Sequence, residues 1–566
     1  MDNYSVYQLG MEIIVRRKSS IALILISILL MAFIVGYFLL REYHIYDVPV
    51  AYSYRIMGVP VVENTDFLQG REKYTLTQKP EVYFEDVIMP YSSVENTVYL
   101  SQDYKMQAWE GVLSTKEEGT FLCMFADEYW NRKADAIKDN HAFTLWLVTE
   151  EGYYELSLRV SGMPVLAIDT KQIVEQEPVV YEEDPDKYFY GMETLHYGEL
   201  RMFNPCVGTE QYEVIECGLQ YHKKGASSSN FDKKSYSLKL LDANGENLDV
   251  PLLGMRSDNS WKLNSLITDP TRIREITAAQ IWEEFDRANE EINEAGPRLQ
   301  YVEVILDNDY RGVYGLVEPV DEKKLALDEN DVLYKVITEQ LPSDDRIQES
   351  IDNQWKIQSA LRIRYPKTIT DYETAWYPVR DYLNTFLGEQ DIEYAMDKVY
   401  VSNAVDMMLF ITAVAGSDNH TKNRYLAADV AEGGSYVMRQ VPWDLDITFG
   451  QVFNQESPLK TDFEPDYTMV YEEEMVPMLM YVDYEKMSDL IREKWQSYRQ
   501  SFLQTEEILQ RFEENRDYLL DTGAAYRENE RWPDFAMDTE IDYLKEYQKK
   551  RMNWADDYVA GYTREW

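Results

Sequence analysis

Within one short span the chain carries Gly416-Ser417-Asp418-Asn419-His420-Thr421-Lys422-Asn423. After a hairpin-length gap comes Pro442-Trp443-Asp444-Leu445-Asp446-Ile447-Thr448-Phe449-Gly450. Asp418 precedes Asn423 by five residues, so a loop can aim one at a substrate hydroxyl and the other at a metal ion. Asp444 and Asp446 alternate on a strand-like segment, which predicts that both carboxylates share one face. Like charges on one face repel, and a divalent cation relieves the repulsion. Oxygen ligands, a carboxylate base and cations for the phosphates are what phosphoryl transfer asks of a protein, because its catalysis is mostly positioning and charge stabilisation. The structural alternative has Asp418 and Asn423 capping turns while Trp443-Asp444 makes a buried hydrogen bond. Four oxygen donors in one hairpin exceed turn chemistry. His420 stands without Cys or His partners nearby and does not mark a zinc site.

Such a site needs a cationic wall opposite it. Lys223-Lys224-Gly225-Ala226-Ser227-Ser228-Ser229-Asn230 joins two expected strands, and Gly225, Ser227 and Ser228 would let backbone N–H groups and hydroxyls approach phosphates. It is not a Walker loop, since Gly-x-x-x-x-Gly-Lys-Ser/Thr is absent, and an ordinary hairpin is the alternative. Lys233 and Lys234 follow at once and Lys239 sits on the next strand. A strand cation facing the cleft, paired with a carboxylate such as Glu275, is the kinase-like arrangement. Leu316-Val317-Glu318-Pro319-Val320-Asp321 leaves a strand either as a hinge that hydrogen-bonds adenine or as a plain exit into a loop.

The chain has 566 residues, enough for two or more folded units, and 45% hydrophobic residues with 45 Tyr and 12 Trp supply large cores. A net charge of −45 argues against nucleic-acid binding, because no excess of cations is available to neutralise phosphates. Ile21 to Leu40 is an uncharged apolar run preceded by Arg16-Arg17-Lys18. It matches a bilayer-spanning helix with a cytoplasmic N-terminus and everything after it outside. A cleaved signal peptide fits less well, as the run is long and no Ala-x-Ala site follows. Cys123, Cys206 and Cys217 are too few for a disulfide scaffold, although Cys206 and Cys217 would be close enough to pair on neighbouring strands.

The expected order is a tail (1–19), a transmembrane helix (20–41), a juxtamembrane spacer (42–81), a β-rich module (82–161) and a large domain (162–566). Thr144–Thr149 and Tyr153–Val160, turning at Glu151-Gly152, predict a hairpin in the module. In the large domain, strands are expected at Glu213–Tyr221, Ser235–Leu241, Tyr301–Asp307 and Gly312–Glu318. A helix over Arg272–Phe285 opens on Asp269-Pro270. Beyond Tyr372 the pattern turns helical apart from a hairpin over Tyr425 to Asp446, and amphipathic helices close the chain from Glu506 to Tyr562.

From about Met163 to the C-terminus the chain resembles the CotH family, the spore-coat-type atypical protein kinases. The resemblance rests on Lys233-Lys234-Ser235-Tyr236-Ser237-Leu238-Lys239-Leu240, on Trp261-Lys262-Leu263-Asn264 with Asp269 and Arg272, and on Tyr310-Arg311-Gly312-Val313-Tyr314-Gly315-Leu316 with Glu318. It continues through the Asp418–Asn423 loop, Trp443-Asp444-Leu445-Asp446 with Gly450, Arg531-Trp532 and Lys550-Arg551. It implies an α+β, two-lobed, atypical protein-kinase-like fold, and ATP- and Mg²⁺-dependent phosphorylation of Ser/Thr on secreted or surface proteins. By motif, Asp418 would be the catalytic base, Asn423 a metal ligand and Asp444 or Asp446 the main metal ligand. Lys234 or Lys239 would bind phosphate and Trp443 would stack on adenine. The family's Arg-Gly-x-Ser run is replaced by Lys224-Gly225-Ala226-Ser227, which keeps the charge and loses the bidentate fork. The alternative is a catalytically silent kinase-fold surface or coat-assembly protein. A polysaccharide-processing enzyme fits the paired carboxylates but leaves the lysines unexplained.

Overall fold

In this computed structural model the described residues are 54–175, 194–209, 211–225, 230–289, 292–293, 295–358, 360–388, 391–451 and 466–563. The run Ile21 to Leu40, the tail before it, Ser227 and Ser228 lie outside them. Among the described residues no helix is long and apolar enough to cross a membrane. These residues form two compact units. One comprises residues 54–89, 109–130 and 143–157, and the other residues 90–108, 131–142 and 158–563.

In the smaller unit, Tyr54–Ile56 and Val59–Val62 form an antiparallel pair. Val59–Val62 continues parallel to Phe121–Phe125, which pairs in turn with Ala142–Val148. Val62, Cys123, Trp146 and Val148 are the buried centre, with Phe67 and Phe125 packed edge-on against Trp146. The first pair falls inside the stretch read as a spacer. Strands of three and four residues are too short to show a period, and Gly58, at φ +78°, supplies the turn.

The larger unit begins with a closed barrel. Its strands are β1 (Val165–Val174), β2 (Leu195–Asn204), β3 (Glu213–Lys224), β4 (Ser235–Leu241), β5 (Ser260–Asn264), β6 (Arg298–Leu306) and β7 (Asp309–Glu318), in the order β1-β2-β3-β4-β5-β7-β6. Closure is made by β1 running parallel to β6, which leaves this sheet no open edge. Inside lie Leu219 and Tyr221 of β3, Tyr236, Leu238 and Leu240 of β4, and Trp261 and Leu263 of β5. Because side chains alternate along a strand, the other face carries His222 and Lys224, Ser235, Ser237 and Lys239, and Lys262 and Asn264. Cys217 is buried on β3, Cys206 half-buried, and all three cysteines are free thiols.

Helix α1 (Arg274–Ala288) starts two residues later than its sequence pattern implies. The Asp269 carboxylate accepts from the N–H groups of Thr271 and Arg274, so it caps from outside the first turn. Arg272 meanwhile adopts a left-handed conformation at φ +63°. That twist sends the Arg272 guanidinium to Glu528, whose Oε1 lies 2.8 Å from Arg272 Nε and 2.7 Å from Lys233 Nζ. Glu528 Oε2 accepts from the Val313 N–H at 2.7 Å, and a Cβ on Gly312 would collide with it. Burial works to raise the Glu528 carboxyl, but Lys233 and Arg272 outweigh it and the net shift is downward. Burial also draws the Lys233 ammonium down; with two cations facing one carboxylate, it is the Glu528 charge that the pocket secures.

Beyond the barrel, β8 (Val332–Val336), β9 (Ile357–Gln358), β10 (Leu361–Tyr365), β11 (Arg424–Val430) and β12 (Tyr436–Pro442) form a sheet in the order β9-β10-β8-β11-β12. The hairpin expected near Tyr425 is β11–β12, whereas β8 to β10 had no counterpart in the sequence reading. Around this sheet pack α2 (Tyr372–Phe386), α3 (Val401–Val414), α4 (Met475–Val482), α5 (Tyr484–Arg499), α6 (Thr505–Asp521), α7 (Ala524–Arg531) and α8 (Met537–Tyr562). Helix α3 is buried almost all round because nearly every residue from Ala404 to Val414 is apolar.

Glu528→Ala strands two buried cations, a change expected to cost roughly 3–5 kcal/mol of stability. Equilibrium denaturation should show it as a lowered midpoint, and an unchanged midpoint would remove this carboxylate from the fold's foundations.

Candidate active site

Helix α3 ends where Ala415 turns left-handed at φ +53°, releasing the chain into the loop Gly416–Asn423. Asn419 is fully buried and holds this loop in shape. Its Nδ2 donates to the Asn423 carbonyl at 3.0 Å and to the Trp443 carbonyl at 2.8 Å. The Trp443 N–H in turn donates to the Asn423 carbonyl at 2.8 Å. The loop is thereby riveted to the end of β12. Asn423 stands at φ +51°, a conformation that Asn tolerates better than most residues, and its Nδ2 donates to Asp418 Oδ2 at 3.3 Å. Lys422 Nζ lies 3.5 Å from Asp418 Oδ1 and 3.3 Å from Glu339.

Strand β12 ends at Pro442, so Asp444 and Asp446 do not alternate on a strand as the sequence pattern suggested. Asp444 turns left-handed at φ +60°, and the chain reverses through Thr448 to Phe449 and Gly450. Phe449 N–H donates to the Val414 carbonyl at 2.6 Å, tying this turn to the end of α3. A Cβ on Gly450, at φ +78°, would strike the Tyr547 ring. Asp446 Oδ2 accepts from the Thr268 hydroxyl at 2.7 Å, which joins the turn to the segment before α1.

The carboxylates act on one another. Burial drives the Asp446 carboxyl well above its usual range, and Asp444, Glu275 and Asp418 push the same way. Burial raises Asp418, with Lys422 opposing and Asp444 adding to the rise. Glu275 on α1 is pushed up to about 7 by burial and then by Asp444, against the pull of Lys224. Its carboxylate is met by Asn264 of β5, so the lysine–glutamate pair expected here is an asparagine–glutamate pair.

The structure thus gathers Asp418, Asn423, Asp444 and Asp446, and adds Glu275, Asn264 and Thr268. Among the described residues no three His, Cys, Asp or Glu side chains form a ready-made metal cage. The donor set nonetheless fits Mg²⁺, which takes one or two carboxylates and completes its shell with water and phosphate oxygens. Trp443 borders the set, only 4% exposed, with the Lys224 ammonium 5.8 Å and the Lys335 ammonium 5.5 Å from its ring. Gly225 follows β3 at φ +108°.

Other expected residues stand apart from this cluster. The Lys234 ammonium is taken by the Phe231 carbonyl. Lys239 lies on the outer face of β4, opposite Gln220 and Ser260. The Glu318 side chain is committed to Arg256 at 3.1 Å and Lys324 at 3.2 Å, and its backbone stands opposite Arg298 in the β6–β7 ladder. Asn419, Thr268 and Lys335 escaped sequence reasoning. An Asn beside an Asp reads as turn chemistry, and Lys335 hides inside a five-residue strand.

A family model described as CotH kinase protein matches residues 221–555, from the end of β3 into α8. No curated protein matches the chain.

Glu275 supplies a pH signature. With its folded value near 7 against an ordinary 4.5, no cost arises below about pH 4.5, and stability is lost as pH rises through the window between. In EDTA, Glu275→Gln should flatten the fall in stability from about pH 5 to about pH 8 by roughly 2–3 kcal/mol. Calorimetry with Mg²⁺ added should narrow the same gap in the unmutated protein, and parallel profiles for the two proteins would refute the assignment.

Proposed function

From the premise that the chain belongs to the CotH kinase protein family, we propose that it is an ATP- and Mg²⁺-dependent protein kinase. It would transfer the γ-phosphate to Ser/Thr of secreted, cell-surface or coat proteins, and the apolar run Ile21 to Leu40 would anchor it with this domain outside the membrane. The observation that carries the reading is the Asp418–Asn423 loop held against the Asp444–Asp446 turn by Asn419. Asp418 takes the proton of the acceptor hydroxyl as its oxygen attacks the γ-phosphorus. The bond to the β–γ bridging oxygen breaks, and ADP leaves with that electron pair. A carboxyl raised by burial sits closer to working pH and is a stronger base for this step. Asn423, Asp444 and Asp446 would hold Mg²⁺, which supplies charge neutralisation at the phosphates.

A second reading, a silent kinase-fold coat-assembly protein, draws support from the Lys422–Asp418 ion pair, which partners the base before any substrate arrives. Phosphate incorporation by full-length protein separates the two. Asp418→Asn should lower turnover by about 100-fold or more while nucleotide affinity is retained. Incorporation that survives the substitution, or is missing from the unmutated protein with every co-secreted protein, would overturn the kinase reading.

A further inference from the structure

Lys335 stands in the middle of β8, opposite Arg362 of β10 and Tyr425 of β11. Its ammonium lies 5.5 Å from the Trp443 ring and 5.9 Å from the Tyr425 ring. Lys224, from the barrel, reaches the same Trp443 ring at 5.8 Å. Among the described residues neither ammonium makes a hydrogen bond or an ion pair, and both are more than half buried. In a chain of net charge −45, carboxylates are abundant and other site cations find them: Lys422 has Asp418 and Glu339, and Arg256 has Asp258, Glu318 and Asp321. The charges acting on Lys335 are instead Asp444, which attracts it, and Lys224, Arg364 and Arg362, which repel it. Aromatic faces orient an ammonium but do not neutralise it.

Two ammoniums thus lie 5.8 and 5.5 Å from the Trp443 ring, Arg362 and Arg364 add to the positive potential at Lys335, and the carboxylate turn begins at the residue after Trp443. A ligand that satisfies both sides must be a polyanion carrying its own divalent cation. We propose that Lys335 and Lys224 bind the phosphate tail of a Mg²⁺–nucleoside polyphosphate, one lysine from the barrel and one from the second sheet, with Trp443 beside them. The assignment rests on the nucleotide-dependent reading above. It moves the phosphate-binding role from Lys234 and Lys239 to Lys224, in the Lys224-Gly225-Ala226-Ser227 run, and to Lys335, which no motif marks.

The test is titration of full-length protein with ATP, adenosine and inorganic tripolyphosphate, each with Mg²⁺, followed by calorimetry and tryptophan fluorescence. Lys335→Met and Lys224→Met should each weaken ATP and tripolyphosphate by about tenfold or more while adenosine stays within about twofold. Lys335→Arg, which keeps the charge, should hold ATP affinity within about threefold, with near-ultraviolet dichroism unchanged in every variant. Equal losses for adenosine and ATP, or no loss, would overturn the assignment. So would an unmutated protein that binds neither ATP nor tripolyphosphate. Lysine-dependent tripolyphosphate binding without phosphate transfer to any protein would leave this site standing and defeat the kinase reading instead.

Discussion

One buried carboxylate joins the parts of the larger unit. Glu528, on the short helix α7, accepts from Lys233 just before β4, from Arg272 just before α1 and from the backbone of Val313 on β7. Three segments far apart in sequence therefore converge on one side chain with no exposure to water. Burying such ions is expensive, and their mutual attraction offsets the cost only when geometry and hydrogen bonds are complete. The result is specificity: few other packings of these segments would satisfy all the partners. Arg527, the preceding residue, repeats the device with Glu303 of β6, whose carboxylate also receives the Tyr310 hydroxyl.

That network explains much of what makes the chain resemble its family. Lys233, Arg272 and Gly312 hold or make room for Glu528. Arg531 and Trp532 donate to the carbonyls of Tyr310 and Arg311 at 3.0 and 2.9 Å. These residues fix where the barrel and the closing helices meet. In the kinase reading the reacting groups lie elsewhere, where Lys224 and Lys335 approach the Trp443 ring and the turn bearing Asp444 and Asp446 follows.

Legibility followed the length of the signal. The strands Ser235–Leu241 and Gly312–Glu318 and the helices after Glu506 were plain because alternation or helical spacing ran for several residues. The strands β8, β9 and β10 were not, because two to five residues set no period. The loop and turn that bear Asp418 and Asp446 could be located from residue types. Their shape could not, since it depends on left-handed Asn423 and Asp444 and on hydrogen bonds from Asn419 to residues on a different element. The same limit concealed Lys335, whose significance comes from Trp443, distant in sequence and adjacent in space.

Asn419 has a mechanical consequence. Because it clasps the Asn423 and Trp443 carbonyls at once, the loop bearing Asp418 and the turn bearing Asp444 and Asp446 are coupled: neither can shift against the other without breaking a hydrogen bond of a fully buried amide.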